Sequence, residues 1–212
     1  MKIKISQRKS FTIFEIIIVL IILSIIISIS LLNINKKSDF TNLDLAINQL
    51  KTHINLTRNI ALRDDKYDSE NHLWYRQRWT IKFRNCINNS GIYYIIYSDT
   101  NGKGHPNKSE SIKDSLSKKY LFSGYDCNPS QDESKYILLS KTYGVDRVTM
   151  SCNHTSSIGQ ISFGNDGRPY YKLSTRPNQA YNYAIKTPCE IVLYSKNKSR
   201  KLIIEPETGY IY

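Results

Sequence analysis

Methionine and proline are scarce in this chain of 212 residues, two and six against sixteen tyrosines, a balance that fits a well-packed β-rich protein and excludes wholesale disorder. Mean hydropathy is low, at -0.43, which excludes a polytopic membrane protein and makes most of the chain read as soluble. Acidic residues are also short, 18 against 30 Lys and Arg, leaving a net charge of +12. Such an excess suits an anionic partner, nucleic acid or phospholipid headgroups. Catalytic motifs are missing too: there is no P-loop, no G-x-S-x-G and no H-E-x-x-H. His53, His72, His105 and His154 are scattered, His53 in a helical pattern and His105 in a loop, so they make neither a metal set nor a nucleophile-base pair. The remaining acids gather at 63–66 and 126–133 and read as solvated surface. An enzyme is not the expectation, and no cofactor or metal is implied.

What is present is concentrated at one end. Phe11 to Leu32 holds one ionisable residue, Glu15, and is preceded by Lys2, Lys4, Arg8 and Lys9 with no acid among them. At about 1.5 Å per residue, 22 helical residues span about 33 Å, enough for a hydrocarbon core of about 30 Å. A basic flank stays on the cytoplasmic side, so the rest of the chain is expected across the membrane. Ser24 and Ser28, four apart, permit close helix contact. The run is too long for a cleaved secretory signal, and Glu15 lies where an ionised carboxylate costs several kcal/mol unless paired or protonated. Its charge can snorkel toward Arg8 and Lys9, or it can meet a cation from a neighbouring subunit.

Cys86, Cys127, Cys152 and Cys189 all fall on the outer side, and none sits in a C-x-x-C pair or at zinc-ligand spacing from a histidine. Disulfides are the expected use. Of the three possible pairings, Cys86 with Cys127 and Cys152 with Cys189 is favoured, because each closes a loop of roughly 40 residues, worth about 3 to 4 kcal/mol in the chain-entropy model.

The stretch Lys9-Ser10-Phe11-Thr12-Ile13-Phe14-Glu15, followed by Ile16-Ile17-Ile18-Val19-Leu20-Ile21-Ile22-Leu23, resembles the amino terminus of type IV pilins and type II secretion pseudopilins. The resemblance implies cleavage by a prepilin peptidase between Ser10 and Phe11, N-methylation of Phe11, and an assembly role for Glu15. Ser10 departs from the family's usual glycine but keeps a small side chain. Cleavage would create a cationic amine on Phe11, and pairing it with Glu15 of the adjacent subunit would offset two desolvation costs and fix subunit register. Such a head-to-tail contact is heterologous and propagates a filament.

Beyond the apolar run, Phe40, Leu43, Ile47, Leu50, Ile54 and Ala61 recur mostly at three- and four-residue steps, an amphipathic helix with Asp39 as a candidate cap. One long helix from about Phe11 to Arg63 is expected, its outer half covered by a sheet. From Leu73 onward the pattern turns to short aromatic and β-branched runs: 79–83, 92–97, 136–139, 148–150, 160–163, 169–173, 190–194 and 201–204. Ser98 to Lys119, polar and with two glycines, is expected to be a mobile surface loop. Asn165-Asp166-Gly167-Arg168 and Lys196-Asn197-Lys198-Ser199-Arg200 carry turn chemistry, the second a hairpin. The order of strands, turns and glycines from Ile161 to Ile211 is similar to GspH/FimT-type minor pseudopilins; 66–146 carries no motif that extends the resemblance.

Some FimT-like proteins are DNA receptors with basic residues near the carboxy terminus, whereas this chain ends Gly209-Tyr210-Ile211-Tyr212. Its nearest substitute is Lys196, Lys198, Arg200 and Lys201 beside Tyr194, which could make salt-sensitive phosphate contacts. Edge-strand charges that block aggregation are the preferred reading of the same residues. Lipid headgroups or acidic pilin neighbours would suit them as well. The expectation is a pilin-like α+β protein: leader 1–10, membrane half of the helix 11–32, amphipathic half 33–64, and an antiparallel β-rich periplasmic head 65–212. It would be a single-pass inner-membrane protein entering a type IV pilus or type II secretion pseudopilus. Expected partners are prepilin peptidase, other pilin or pseudopilin subunits, the inner-membrane assembly platform and membrane lipid, with DNA as an alternative. A tethered periplasmic binding module that keeps Met1 to Ser10 is the third reading.

Overall fold

The computed structural model describes residues 12–34 and 41–212, with side chains described to Ser28 in the first stretch. The chain divides into two compact units, Met1–Phe40 and Thr41–Tyr212. In the first, α1 runs Ile13–Ile34. The hydroxyls of Ser24 and Ser28 donate to the carbonyls of Ile21 (2.7 Å) and Ser24 (2.8 Å) one turn back, so neither polar group is left unsatisfied in an apolar helix. Among the described residues no helix is long and apolar enough to cross a membrane.

The second unit opens with α2, Asn42–Ala61. The single helix expected over 11–63 is not continuous: Thr41 is extended, with φ -88° and ψ 163°, and starts α2 afresh. Its amide and hydroxyl donate to Oδ2 of Asp44 at 2.8 and 2.7 Å, and the Asp44 amide returns to the Thr41 carbonyl at 2.9 Å, satisfying backbone groups that a helix start leaves orphaned. The expected cap, Asp39, lies outside the described residues.

Seven antiparallel strands follow: β1 Thr80–Asn85, β2 Ile92–Tyr97, β3 Arg147–Met150, β4 Gly159–Phe163, β5 Pro169–Tyr170, β6 Cys189–Ser195 and β7 Lys198–Ile204. They form a four-stranded sheet in the order β2-β1-β4-β5 and a three-stranded sheet in the order β3-β6-β7. The architecture is therefore helix plus antiparallel sheet, as expected. α2 packs on strands of both sheets, burying Leu43, Ala46, Leu50, Ile54 and Ala61 against the core. Each large aliphatic chain so covered contributes about 1.5 to 3 kcal/mol. His53 and Thr57 share that buried face, which the apolar pattern alone does not reveal.

Two segments differ from their sequence patterns. Residues 136–139, a short apolar run, form a 3-10 turn (Lys135–Ile137) and then the helix α3 (Leu139–Tyr143) instead of a strand. Four apolar residues do not distinguish the two, and the Ser134 hydroxyl, which accepts from the Tyr136 amide, supplies the turn. Ser98–Lys119 is not a detached loop: Ser98 bonds Glu110, Ile112 bonds Ile96, and Leu121 bonds both Ile112 and Ile96 through the backbone. The outer edge of β2 is thereby covered, and all six of its residues are buried. The disulfides are Cys86–Cys127 and Cys152–Cys189, the favoured pairing.

The carboxy-terminal glycines meet. Gly209, at φ +62°, lies so close to the carbonyl of Gly167 that an added Cβ would collide with it and stand 3.0 Å from the Phe163 ring. Arg58 of α2 donates from Nε to the Thr208 carbonyl at 2.9 Å, and Arg168 pairs with Glu207 at 2.7 Å. Gly209→Ala is expected to cost about 3 kcal/mol, from left-handed strain plus a backbone collision. Gly102→Ala, also at positive φ but with nothing within 4 Å of its Cβ, should cost only about 1 to 2 kcal/mol. Thermal unfolding of the two variants in detergent tests the difference.

His53 yields a second expectation. Its Nδ1 lies 2.7 Å from the Tyr94 hydroxyl and its Nε2 2.8 Å from the Gln49 amide nitrogen, and burial lowers its pKa from 6.5 to about 4. Between those values the unfolded chain takes up a proton that the folded chain refuses. Stability should fall by about 3 kcal/mol as pH drops from 6.5 to about 4, and this contribution should level off below. Asp44, whose pKa the Thr41 bonds and Arg200 lower to about 2, acts below that window. His53→Gln should flatten the slope between pH 4 and 6.5 in calorimetric unfolding; an unchanged slope would assign it elsewhere.

Candidate functional site

At the start of α1, Thr12 donates its amide (2.8 Å) and hydroxyl (3.0 Å) to Oε2 of Glu15, and the Glu15 amide donates to the Thr12 hydroxyl at 3.3 Å. This is the same reciprocal arrangement as Thr41 and Asp44 at α2. Both follow from Thr-x-x-acid before an apolar run, so Thr12 as a partner of Glu15 could have been read from the sequence. The carboxylate receives two hydrogen bonds and lies at the positive end of the helix dipole. Every described side chain of α1 is exposed, the large apolar ones from Ile13 at 81% to Ile18 at 41%, so the carboxylate sits at the start of an exposed apolar helix. Ser10 and Phe11, the expected cleavage pair, lie outside the described residues.

The basic hairpin is real, and its turn is short. β6 and β7 pair from Cys189 opposite Ile204 to Ser195 opposite Lys198, leaving Lys196 and Asn197 as the two-residue turn, with Lys196 at φ 53°. The four basic residues do not form one patch. Alternation along β7 places Lys198 and Arg200 on the face shared with Leu202 and Ile204, and Lys201 on the opposite face. Arg200 pairs with Asp44 at 2.5 Å, tying the hairpin to the start of α2, and Lys201 pairs with Glu190 at 2.9 Å. Tyr194 lies under Arg147, 4.0 Å from ring centre to guanidinium. The acidic partners were invisible in sequence because Asp44 is 156 residues from Arg200.

Beside the hairpin a groove of about 540 Å³ is bounded by Thr41, Leu43, Tyr143, Lys196 and Lys198. The disulfide cysteines are buried and carry no reactive thiol. The histidines remain apart, and among the described residues no group of His, Cys, Asp and Glu could hold a metal ion. Of the acids expected on the surface, Asp132 pairs with Lys108 at 2.5 Å, while Glu133 is buried and Asp64 accepts from Trp79 Nε1 at 2.7 Å.

No protein-family model matches the chain, and the searches of curated proteins and of solved structures returned no match.

With half of its basic residues paired and the rest divided between a turn and one face, the hairpin is expected to retain duplex DNA weakly. At roughly 50 mM salt, where phosphate contacts are strong, an electrophoretic shift by the full chain should be no greater than that of a Lys196→Ala, Lys198→Ala double variant. A shift abolished in the double variant would restore the phosphate-contact reading.

Proposed function

We propose that this protein is a minor pilin or pseudopilin subunit, processed by a prepilin peptidase between Ser10 and Phe11 and assembled into a type IV pilus or type II secretion pseudopilus. The observation that carries the reading is Glu15. A carboxylate in the first turn of an exposed, otherwise apolar helix is held locally by Thr12 and pairs with no cation among the described residues. In a bilayer that charge costs several kcal/mol, and Thr12, a neutral donor, offsets only part of it. A cation in the same apolar layer would offset the rest. Cleavage before Phe11 generates such a cation, and the Phe11 amine of one subunit can meet Glu15 of the next.

In this reading residues 11–32 sit in the inner membrane before assembly, with the disulfide-bonded head in the periplasm. The head supplies lateral contacts, and the chain's role is structural. Cys86–Cys127 and Cys152–Cys189 support an oxidising compartment for the head, because reduced thiols predominate in the cytosol. The paired state of Arg200 and Lys201 weighs against DNA capture as the main role.

Intact mass and amino-terminal sequencing of the protein recovered from its host should give a chain starting at N-methylated Phe11. Retention of Met1 would overturn the proposal in favour of a tethered module. Glu15→Ala should be processed normally but recovered in filaments at less than about one tenth of the wild-type level, the loss expected for removing one partner of a buried ion pair.

A further inference from the structure

Two segments outside the sheets, 67–75 and 178–181, border a pocket of about 330 Å³, at the lower end of the ~300 to 1,000 Å³ range of small-molecule sites. Two buried side chains join them. The Tyr75 hydroxyl donates to the Arg176 carbonyl, and Arg78 donates from Nη1 to the Ala180 carbonyl at 2.7 Å. Both residues are almost sealed, at 1% and 3% exposure. The Arg78 guanidinium also lies over the rings of Trp74, Tyr170 and Tyr181, at 5.0, 4.0 and 5.6 Å from their centres. Burying a guanidinium is costly. The carbonyl and the three ring faces offset that cost, and in doing so they hold aromatic side chains of both segments in fixed positions.

The rings that line the pocket stay open to solvent. Tyr67 is 64% and Tyr181 61% exposed, and half-buried Trp74 meets Tyr67 edge-on with ring centres 5.4 Å apart. Rings already held in place lose little freedom when a ligand stacks on them. The lining also narrows the ligand's charge. Among the described residues no Lys or Arg lines the pocket, in a chain whose net charge is +12, so an anion is not favoured. A cation is not favoured either, because the Arg78 charge already lies over Trp74 and Tyr181 and repels a second one brought to the same rings. Asp68, His72 and Asn178 add groups that exchange hydrogen bonds with hydroxyls. We infer that this pocket binds a neutral saccharide: the apolar C–H face of a pyranoside stacks on the exposed rings of Tyr67 and Tyr181, and its hydroxyls meet Asp68, His72 and Asn178. The inference goes beyond filament assembly and does not depend on it.

The test is ligand-observed NMR with the full chain in octaethylene glycol monododecyl ether, a detergent without sugar or charge. Cellobiose, whose two rings present flat C–H faces, is the probe; sorbitol supplies hydroxyls without a ring, and choline supplies a cation. Cellobiose should saturate in roughly the millimolar range, with sorbitol and choline each at least about 10-fold weaker. Tyr67→Ala and Tyr181→Ala, both at exposed positions, should each weaken cellobiose at least about fivefold, whereas Tyr67→Phe, which keeps the ring, should stay within about twofold of the unaltered chain. Should one alanine variant fail to fold, the other carries the test. No saturable cellobiose signal, a smaller preference over either control, unaltered affinity in a folded alanine variant, or a loss in Tyr67→Phe equal to that in Tyr67→Ala would each overturn the inference.

Discussion

One face of α2 is shared by two sheets that make no strand pairing with each other, and the head depends on that contact. Leu43, Leu50 and Ile54 are fully buried there, and three polar tethers flank them along the helix: Asp44 to Arg200, His53 to Tyr94 and Arg58 to the Thr208 carbonyl. The tethers fix rotation as well as position. A helix turned by one residue would bring Asn55 and Arg58 to the buried positions of Ile54 and Thr57 and move His53 to the exposed position of Thr52. The buried polar groups cost desolvation, and their hydrogen bonds return enough of it to make a single orientation the stable one.

The disulfides act around this arrangement rather than within it. Cys152–Cys189 joins the end of β3 to the start of β6, which are already neighbours in one sheet, and so clamps its margin. Cys86–Cys127 fastens the chain just beyond the segment that covers β2 to the far end of β1.

Periodicity made much of the fold legible. The stripe of α2, the six-residue run of β2 and the alternation of Cys189, Ile191 and Leu193 in β6 all reflect sheet or helix burial directly, because each repeats at the spacing of its own element. Short segments were not legible: four apolar residues at 136–139 fit a strand or a helix equally, and the glycine-bearing 98–119 gave no sign of its long-range backbone pairing. Glu15 stood out because a charge in an apolar run violates a local rule. Arg78 did not, because its burial and its three ring neighbours arise only when 74–78, β5 and 178–181 come together. The basic hairpin showed the converse: its composition was plain, but its neutralisation by Asp44 and Glu190 was a product of tertiary placement.

The tethers of α2 reach 150 and 156 residues along the chain. Contacts of that span can close only after the β6–β7 hairpin has been made, so the part of the α2 stripe that it covers stays open until then, while β1 and β4 can cover the rest earlier. The core of this head is thus completed late, by its last hairpin. In the interval the chain offers a greasy surface to whatever chaperone or translocation machinery is at hand.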